Sequence, residues 1–412
     1  MIAKALKLSS DEILFYAVRG LGLFIKPLTL WLLIKLNYIE ASALVATFYF
    51  AVATTFIALN SEAHIPFYKR RYGQDSRSNK ASVLYFRGYI RDFTAHVVVF
   101  LPLVTLGFML YFSDVLTAFI FTIFVVLEKF WDEVQRNLIF SRMYQKWAFW
   151  FIIRISASSI GICIGLFMGW DIYLCIMVGI AIMTVTLSRN LISKRLVKMM
   201  KRASISALRM KTLHFWHIYR QRFMFGQLVA LASRNLLSVD KWLAGLFLPE
   251  RILVELVLVS QVGTIFHILI DNIYFSRNRD RFVQVKSGLN EIVKWDTFLC
   301  VAIGYFILSV LLFALFRNVL GVLQLSVEQC ILSISIFVVA GLGRPLCEHA
   351  FWHVPRVYAA TIDVTAVLIW VTNSIFLKES DDFLTILLVN GLVVNSVRIV
   401  IYGILCKKSF VK

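Results

Sequence analysis

Six cations stand inside apolar runs of this chain: Arg19, Lys26, Arg154, Arg234, Lys241 and Arg398. In lipid each costs at least a few kcal/mol, so each needs a reason. Arg19 and Lys26 are seven residues apart, which on a helix places them on one face about 10 Å apart, and Arg234 and Lys241 repeat that spacing. Arginine offers a planar fork that matches phosphate oxygens bidentately, so a cationic lining suits an anionic, phosphate-bearing ligand. The plain alternative is a guanidinium or ammonium that snorkels to an interface or closes a structural ion pair.

Four carboxylates share these runs and are candidates for a coupling proton or cation: Glu128, Asp132, Asp240 and Asp363. In "LEKFWDEVQRN" Glu128 with Asp132, Lys129 with Glu133, and Asp132 with Arg136 stand at i,i+4, the spacing of an ion-pair ladder. Asp363 is alone in its segment. Asp240 is six residues from Arg234 and on another face, so its expected partner is a neighbouring helix.

Nothing in the chain prepares covalent chemistry. No H-x-x-x-D or G-x-S-x-G pattern stands in a plausible context, and the nucleotide-cradling G-x-x-x-x-G-K-[ST] is absent. His349 and His353, with Glu348 adjacent, are at i,i+4 but do not form H-E-x-x-H and lack a third ligand. The six cysteines, Cys163, Cys175, Cys300, Cys330, Cys347 and Cys406, lie in or at the ends of apolar segments without C-x-x-C spacing, and read as small core residues. No catalytic residue, metal or cofactor is expected, and the chain does not read as an enzyme.

The elements that must hold these charges are set by composition. Of 412 residues 59% are hydrophobic and 16% charged, with mean hydropathy +0.77; a soluble domain carries about 25% charged residues. The chain therefore reads as an all-α polytopic membrane protein. Spanning helices need roughly 20 apolar residues. Twelve such segments are expected, at approximately 13–36, 42–66, 94–113, 116–138, 147–168, 172–193, 223–248, 252–276, 296–316, 328–352, 357–377 and 383–406. Pro27, Pro102 and Pro345 fall within them and permit kinks. Ser9 and Glu12 stand at capping-box spacing before the first, which has no cleavage site and reads as retained.

Net charge of +19 raises the question of nucleic acid, but lysine and arginine follow topology instead. The connection after the second segment holds seven, that from Lys194 to Arg222 nine, and that from Arg277 to Trp295 five, whereas the alternate connections contribute only Arg251, Arg317 and Lys378. The basic connections, and with them both termini, are expected in the cytoplasm.

The chain also repeats. "YIEASALVATFYFAVATTFIA" from Tyr38 set against "LPERILVELVLVSQVGTIFHI" from Leu248 aligns Glu40 with Glu250, Thr54 with Thr264 and Phe56 with Phe266. The offset is half the chain. Two pseudo-repeated six-helix lobes around a central cavity are expected, over 1–200 and 223–412, with a basic cytoplasmic linker at 201–222.

The segment "LIKLNYIEASALVATFYFAVATTFIAL" from Leu33 resembles the first hairpin of O-antigen-type polysaccharide flippases of the multidrug/oligosaccharidyl-lipid/polysaccharide exporter superfamily. "DEVQRNLIFSRMYQKWAFWFIIRISASSIGICIGLFMGW" is similar to their fourth and fifth helices, and "LSVDKWLAGLFLPERI" to the opening of their second lobe. Ala41, Ala43, Ile252 and Leu253 stand where that family usually has its turn glycine. The resemblance implies alternating-access flipping of a polyprenyl-(pyro)phosphate-linked oligosaccharide across the bacterial inner membrane for surface polysaccharide, driven by ion antiport. It also implies membrane lipids and polysaccharide polymerase machinery as partners. A cation-coupled small-molecule exporter and a membrane glycan polymerase or ligase are the competing readings; organic cations would favour an acidic cavity, and such enzymes usually carry a sizeable outer loop.

Overall fold

The computed structural model of the chain describes residues 10–60, 79–140, 143–186, 224–270, 295–320 and 323–409, with Trp216, His217, Tyr219, Arg220 and Val293 besides. The described residues form helices and no strand. They are α1 (Ser10–Lys35), α2 (Ile39–Asn60), α3 (Asn79–Phe112), α4 (Val115–Phe140), α5 (Tyr144–Ile155), a π-helical turn (Ser156–Ile160), α6 (Gly161–Phe167) and α7 (Ile172–Thr186). The second half holds α8 (Met224–Asn235), α9 (Val239–Phe247), α10 (Glu250–Ile270), α11 (Trp295–Leu320), α12 (Val327–Leu342), α13 (Arg344–His353), α14 (Arg356–Phe376) and α15 (Phe383–Ser409).

Four stretches are long and apolar enough to cross a bilayer: Ala17–Lys35, Thr94–Phe112, Arg356–Phe376 and Phe383–Lys407. A fifth results if Val327–Leu342 and Arg344–Ala350, bent by 41°, form one span. The protein is thus an all-α, multi-pass membrane protein.

Two expected segments are not single helices. The segment expected at 223–248 breaks at Leu236–Ser238, between α8 and α9. There Asn235 Nδ2 donates back to Leu231 O at 3.0 Å, ending α8, and the freed Leu237 carbonyl accepts from Lys241 Nζ at 2.8 Å. The segment expected at 328–352 bends at Gly343. Pro345 has no N–H to continue the ladder. Pro27, by contrast, sits within an uninterrupted α1.

Helix starts recur along the chain. Ile39 and Glu250, Val115 and Val327, Tyr144 and Arg356, and Ile172 and Phe383 are separated by 211 or 212 residues. Glu40 and Glu250, aligned by the sequence repeat, both occupy a first helical turn, where a carboxylate complements the helix dipole.

The chain divides into two compact units, Met1–Phe48 with Ile90–Arg209, and Tyr49–Tyr89 with Met210–Lys412. In the first, Tyr38 OH donates to Leu166 O at 3.1 Å, Trp131 Nε1 donates to Met183 O at 3.3 Å, and Phe48 stacks edge-on against Phe124 at 3.9 Å. Asp114 caps α4 by accepting from the Thr117 amide at 2.8 Å and the Leu116 amide at 3.3 Å. Bonds from Thr117, side chain and amide, hold its carboxyl below the ordinary range.

In the second unit α10 and α12 pack by exchange of small for large. A methyl on Gly263 would lie 2.6 Å from Phe337, and one on Gly341 would lie 2.4 Å from Phe266, so each helix leaves room for the other's ring. Glu255 on α10, fully buried, accepts the amides of Gln324 at 2.6 Å and Leu325 at 3.0 Å and pairs with Arg251 at 3.2 Å. It fixes the turn that enters α12.

Two outcomes are expected. Gly341→Ala should cost about 1–3 kcal/mol by overpacking, lowering the melting temperature in detergent, and Phe266→Leu in that background should recover part of the loss. Glu255→Ala, which strands two buried amides and Arg251, should lower the melting temperature more than Arg251→Ala; equal losses would show that the amides do not depend on it.

Candidate functional site

The charges singled out in the sequence gather in three places, one in the first unit and two in the second. In the first unit, Glu128 of α4 is buried and accepts from Arg154 Nη2 of α5, while Arg154 Nη1 donates to Gln135 Oε1 at 2.6 Å. Lys26 of α1 lies within electrostatic reach of both Glu128 and Arg154. Lys129, also buried, bonds Asp132 at 3.3 Å. Asp132 thus bonds Lys129 at i,i+3, and Glu128 reaches another helix. The Glu133 and Arg136 side chains lie outside the described residues. Arg19, one turn beyond Phe15, has its guanidinium 5.9 Å from that ring.

The backbone beside this cluster is irregular on the helix of Arg154, and α1 carries Pro27 there. Arg154 stands two residues before the π-helical turn, and α1 packs on that turn. Phe15 meets Trp147 at 4.4 Å, and a methyl on Gly22 would lie 2.4 Å from Phe151 and 2.6 Å from Ile155, so α1 and α5 run in parallel register. That register sets Pro27 level with Ser156–Ile160. Wide turns of this kind free a backbone carbonyl and are enriched at functional sites.

In the second unit the broken segment holds Asp240 and Lys241, both buried in the first turn of α9. Asp240 was expected to pair with a neighbouring helix. It pairs instead with the next residue, accepting from Lys241 Nζ at 2.9 and 3.1 Å. Consecutive helical residues do not face one another, but the break lets the lysine fold back. The same ammonium lies 4.9 Å from the Phe337 ring, and Trp242 meets Phe50 edge-on at 4.8 Å. The Arg234 side chain lies outside the described residues.

The third place joins α14 to α15. Arg398 Nε donates to Asp363 Oδ1 at 2.6 Å, with both side chains buried. Tyr402, one turn on, stacks under the Arg398 guanidinium at 5.3 Å and donates to Ala359 O at 3.3 Å. Trp370 Nε1 donates to Leu387 O at 2.9 Å, closing the other end of the hairpin. Asp363 Oδ2 and Asn395 Oδ1 are buried acceptors without a donor among the described residues. His349 and His353 meet at a tilt of 35° with ring centroids 4.5 Å apart, and Arg344 pairs with Glu348 at 3.6 Å.

Sequence reasoning kept the cations and the carboxylates as separate sets with separate roles. Arg154 with Glu128, Arg398 with Asp363, and Lys241 with Asp240 are pairs drawn from both sets. Glu255 was missed, although Arg251 stands four residues before it at ion-pair spacing.

What fold and site define is a helical membrane protein with charge pairs held inside its apolar helices. No protein-family model matches the chain, and no curated protein matches it in sequence.

Breaking a buried pair strands a charge and costs about 3–5 kcal/mol, whereas removing both partners is far milder. Glu128→Gln and Arg154→Gln should each destabilise the protein in detergent, and the double variant should lose much less than the two losses added. Additive losses would mean the two groups do not interact. The same cycle applies to Asp363→Asn and Arg398→Gln.

Proposed function

We propose that the protein is a flippase that carries a polyprenyl-(pyro)phosphate-linked oligosaccharide from the cytoplasmic to the outer leaflet of a bacterial cytoplasmic membrane. The observation that carries this reading is that the proline inside α1 and the break between α8 and α9 fall at matching places in the two halves. Pro27, beside Lys26, is 211 residues from Ser238, which closes the break before Asp240 and Lys241. Interrupted helices at corresponding positions of two repeats are the best sequence-level pointer to a transporter's substrate path. The recurring helix starts support the same reading of two six-helix lobes.

The physical task explains why cations belong there. Moving a phosphate head through hydrocarbon carries an idealised penalty of order 20 kcal/mol. A wet path lined with cations removes it without covalent chemistry, so the protein is read as a transporter and not an enzyme. In the proposed cycle the lobes rock, the head group passes along the cationic path, and the prenyl tail stays in lipid. Both termini and the basic connections lie in the cytoplasm, and an ion gradient taken up at a carboxylate such as Asp363 drives the cycle by antiport. Polysaccharide polymerase machinery would take the product.

A small-molecule exporter for organic cations fits less well. The buried carboxylates among the described residues, Glu128, Asp240, Glu255 and Asp363, each have a basic partner, which leaves no bare acid for a cationic drug.

Arg19→Gln and Lys26→Gln each remove one cation from the proposed path. In cells whose surface polysaccharide depends on this protein, each should reduce polymer at the surface by tenfold or more, with lipid-linked intermediate accumulating on the cytoplasmic side and unchanged protein in the membrane. Wild-type polymer in both variants would contradict the cationic path.

A further inference from the structure

A groove between α11 and α12 carries an inference that needs only the membrane class of the protein. It is a shallow groove, partly open to the outside, lined by Phe313 and Ala314 of α11 and by Cys330 and Ile334 of α12, with Arg317 and Val327 at one end. Arg317 is in the last turn of α11, three residues past the end of its apolar stretch Phe298–Ala314, and Val327 is the first residue of α12, so that end lies at the edge of the apolar part of both helices. From there the groove descends about 10 Å, the rise of seven residues from Val327 to Ile334. It opens beside an exposed apolar stripe of α11 formed by Ile303, Ile307 and Leu311. Polar at the boundary and apolar below is the shape of a lipid.

The charge at the mouth selects which lipid. Among the described residues no carboxylate lies within ion-pair distance of Arg317. The buried acid of this region, Glu255, is already held by Arg251 and the amides of Gln324 and Leu325. A guanidinium at headgroup depth favours a phosphodiester, and its planar fork favours contact with two oxygens. We propose that this groove is a specific site for an anionic glycerophospholipid, its phosphate on Arg317 and the upper part of one acyl chain between Phe313, Ala314, Cys330 and Ile334.

The test uses the full chain purified in mild detergent, with bound lipid counted by native mass spectrometry during titration with phosphatidylglycerol. Wild-type protein should retain one tightly bound molecule, bind phosphatidylcholine with the same acyl chains less well, and keep the lipid in millimolar inorganic phosphate. Arg317→Gln should weaken phosphatidylglycerol binding about tenfold, the order expected when one charge-assisted contact is lost. Arg317→Lys should restore part of it. Ala314→Trp, which fills the groove and leaves the charge, should also weaken binding, while Lys378→Gln on another connection should not. Undiminished binding in both Arg317→Gln and Ala314→Trp would overturn the site. Displacement by inorganic phosphate would overturn it too, by showing that the guanidinium reads a free anion without the acyl chain.

Discussion

A charge placed among apolar helices must find its counter-charge within the protein, because lipid supplies neither water nor ions to solvate it. Much of the local structure follows from that constraint. Glu128 draws Arg154 to it and so joins α4 to α5. Asp363 does the same for Arg398, joining α14 to α15 along a hairpin that Trp370 and Tyr402 close above and below. Asp240 and Lys241 satisfy one another where the helix is broken, and the break's loose carbonyl is taken by the same ammonium. Glu255 extends the rule from charges to backbone, taking up amides that a turn leaves without partners.

The irregular points of the helices coincide with these groups. Pro27 adjoins Lys26, the π-helical turn follows Arg154, and the break at Leu236–Ser238 precedes Asp240. A regular helix satisfies all its own backbone bonds and has little reason to move. Where it is interrupted, free carbonyls need outside donors, and lysine or arginine side chains are long enough to supply them. The halves solve this differently: α1 stays continuous through its proline, whereas the matching place in the second half opens into two helices without one.

How much of this was legible in sequence depended on the range of the interaction. Helices were legible because runs of apolar residues long enough to cross a bilayer admit little else. The bend at Gly343 was legible in "GLGRP", where proline removes a donor. The break at Leu236–Ser238 was not, since "NLLSV" contains neither glycine nor proline and reads as continuous apolar helix. Asp132 bonds Lys129 at i,i+3, a choice of rotamer that spacing does not settle. The pairs Glu128 with Arg154 and Asp363 with Arg398 were beyond reach for a further reason. Their members are 26 and 35 residues apart on different helices, and hydropathy does not say which helices touch.

The central claim is that these charges serve passage of an anionic head group through the bilayer. Its most direct test is flipping by the purified wild-type protein in liposomes, read as protection of a fluorescent sugar from a membrane-impermeant quencher. A polyprenyl-phosphate-linked oligosaccharide should cross in a protein-dependent way, and a neutral glycolipid with the same prenyl tail and sugar should not. Equal crossing of both, or of neither under an imposed ion gradient, would contradict the account.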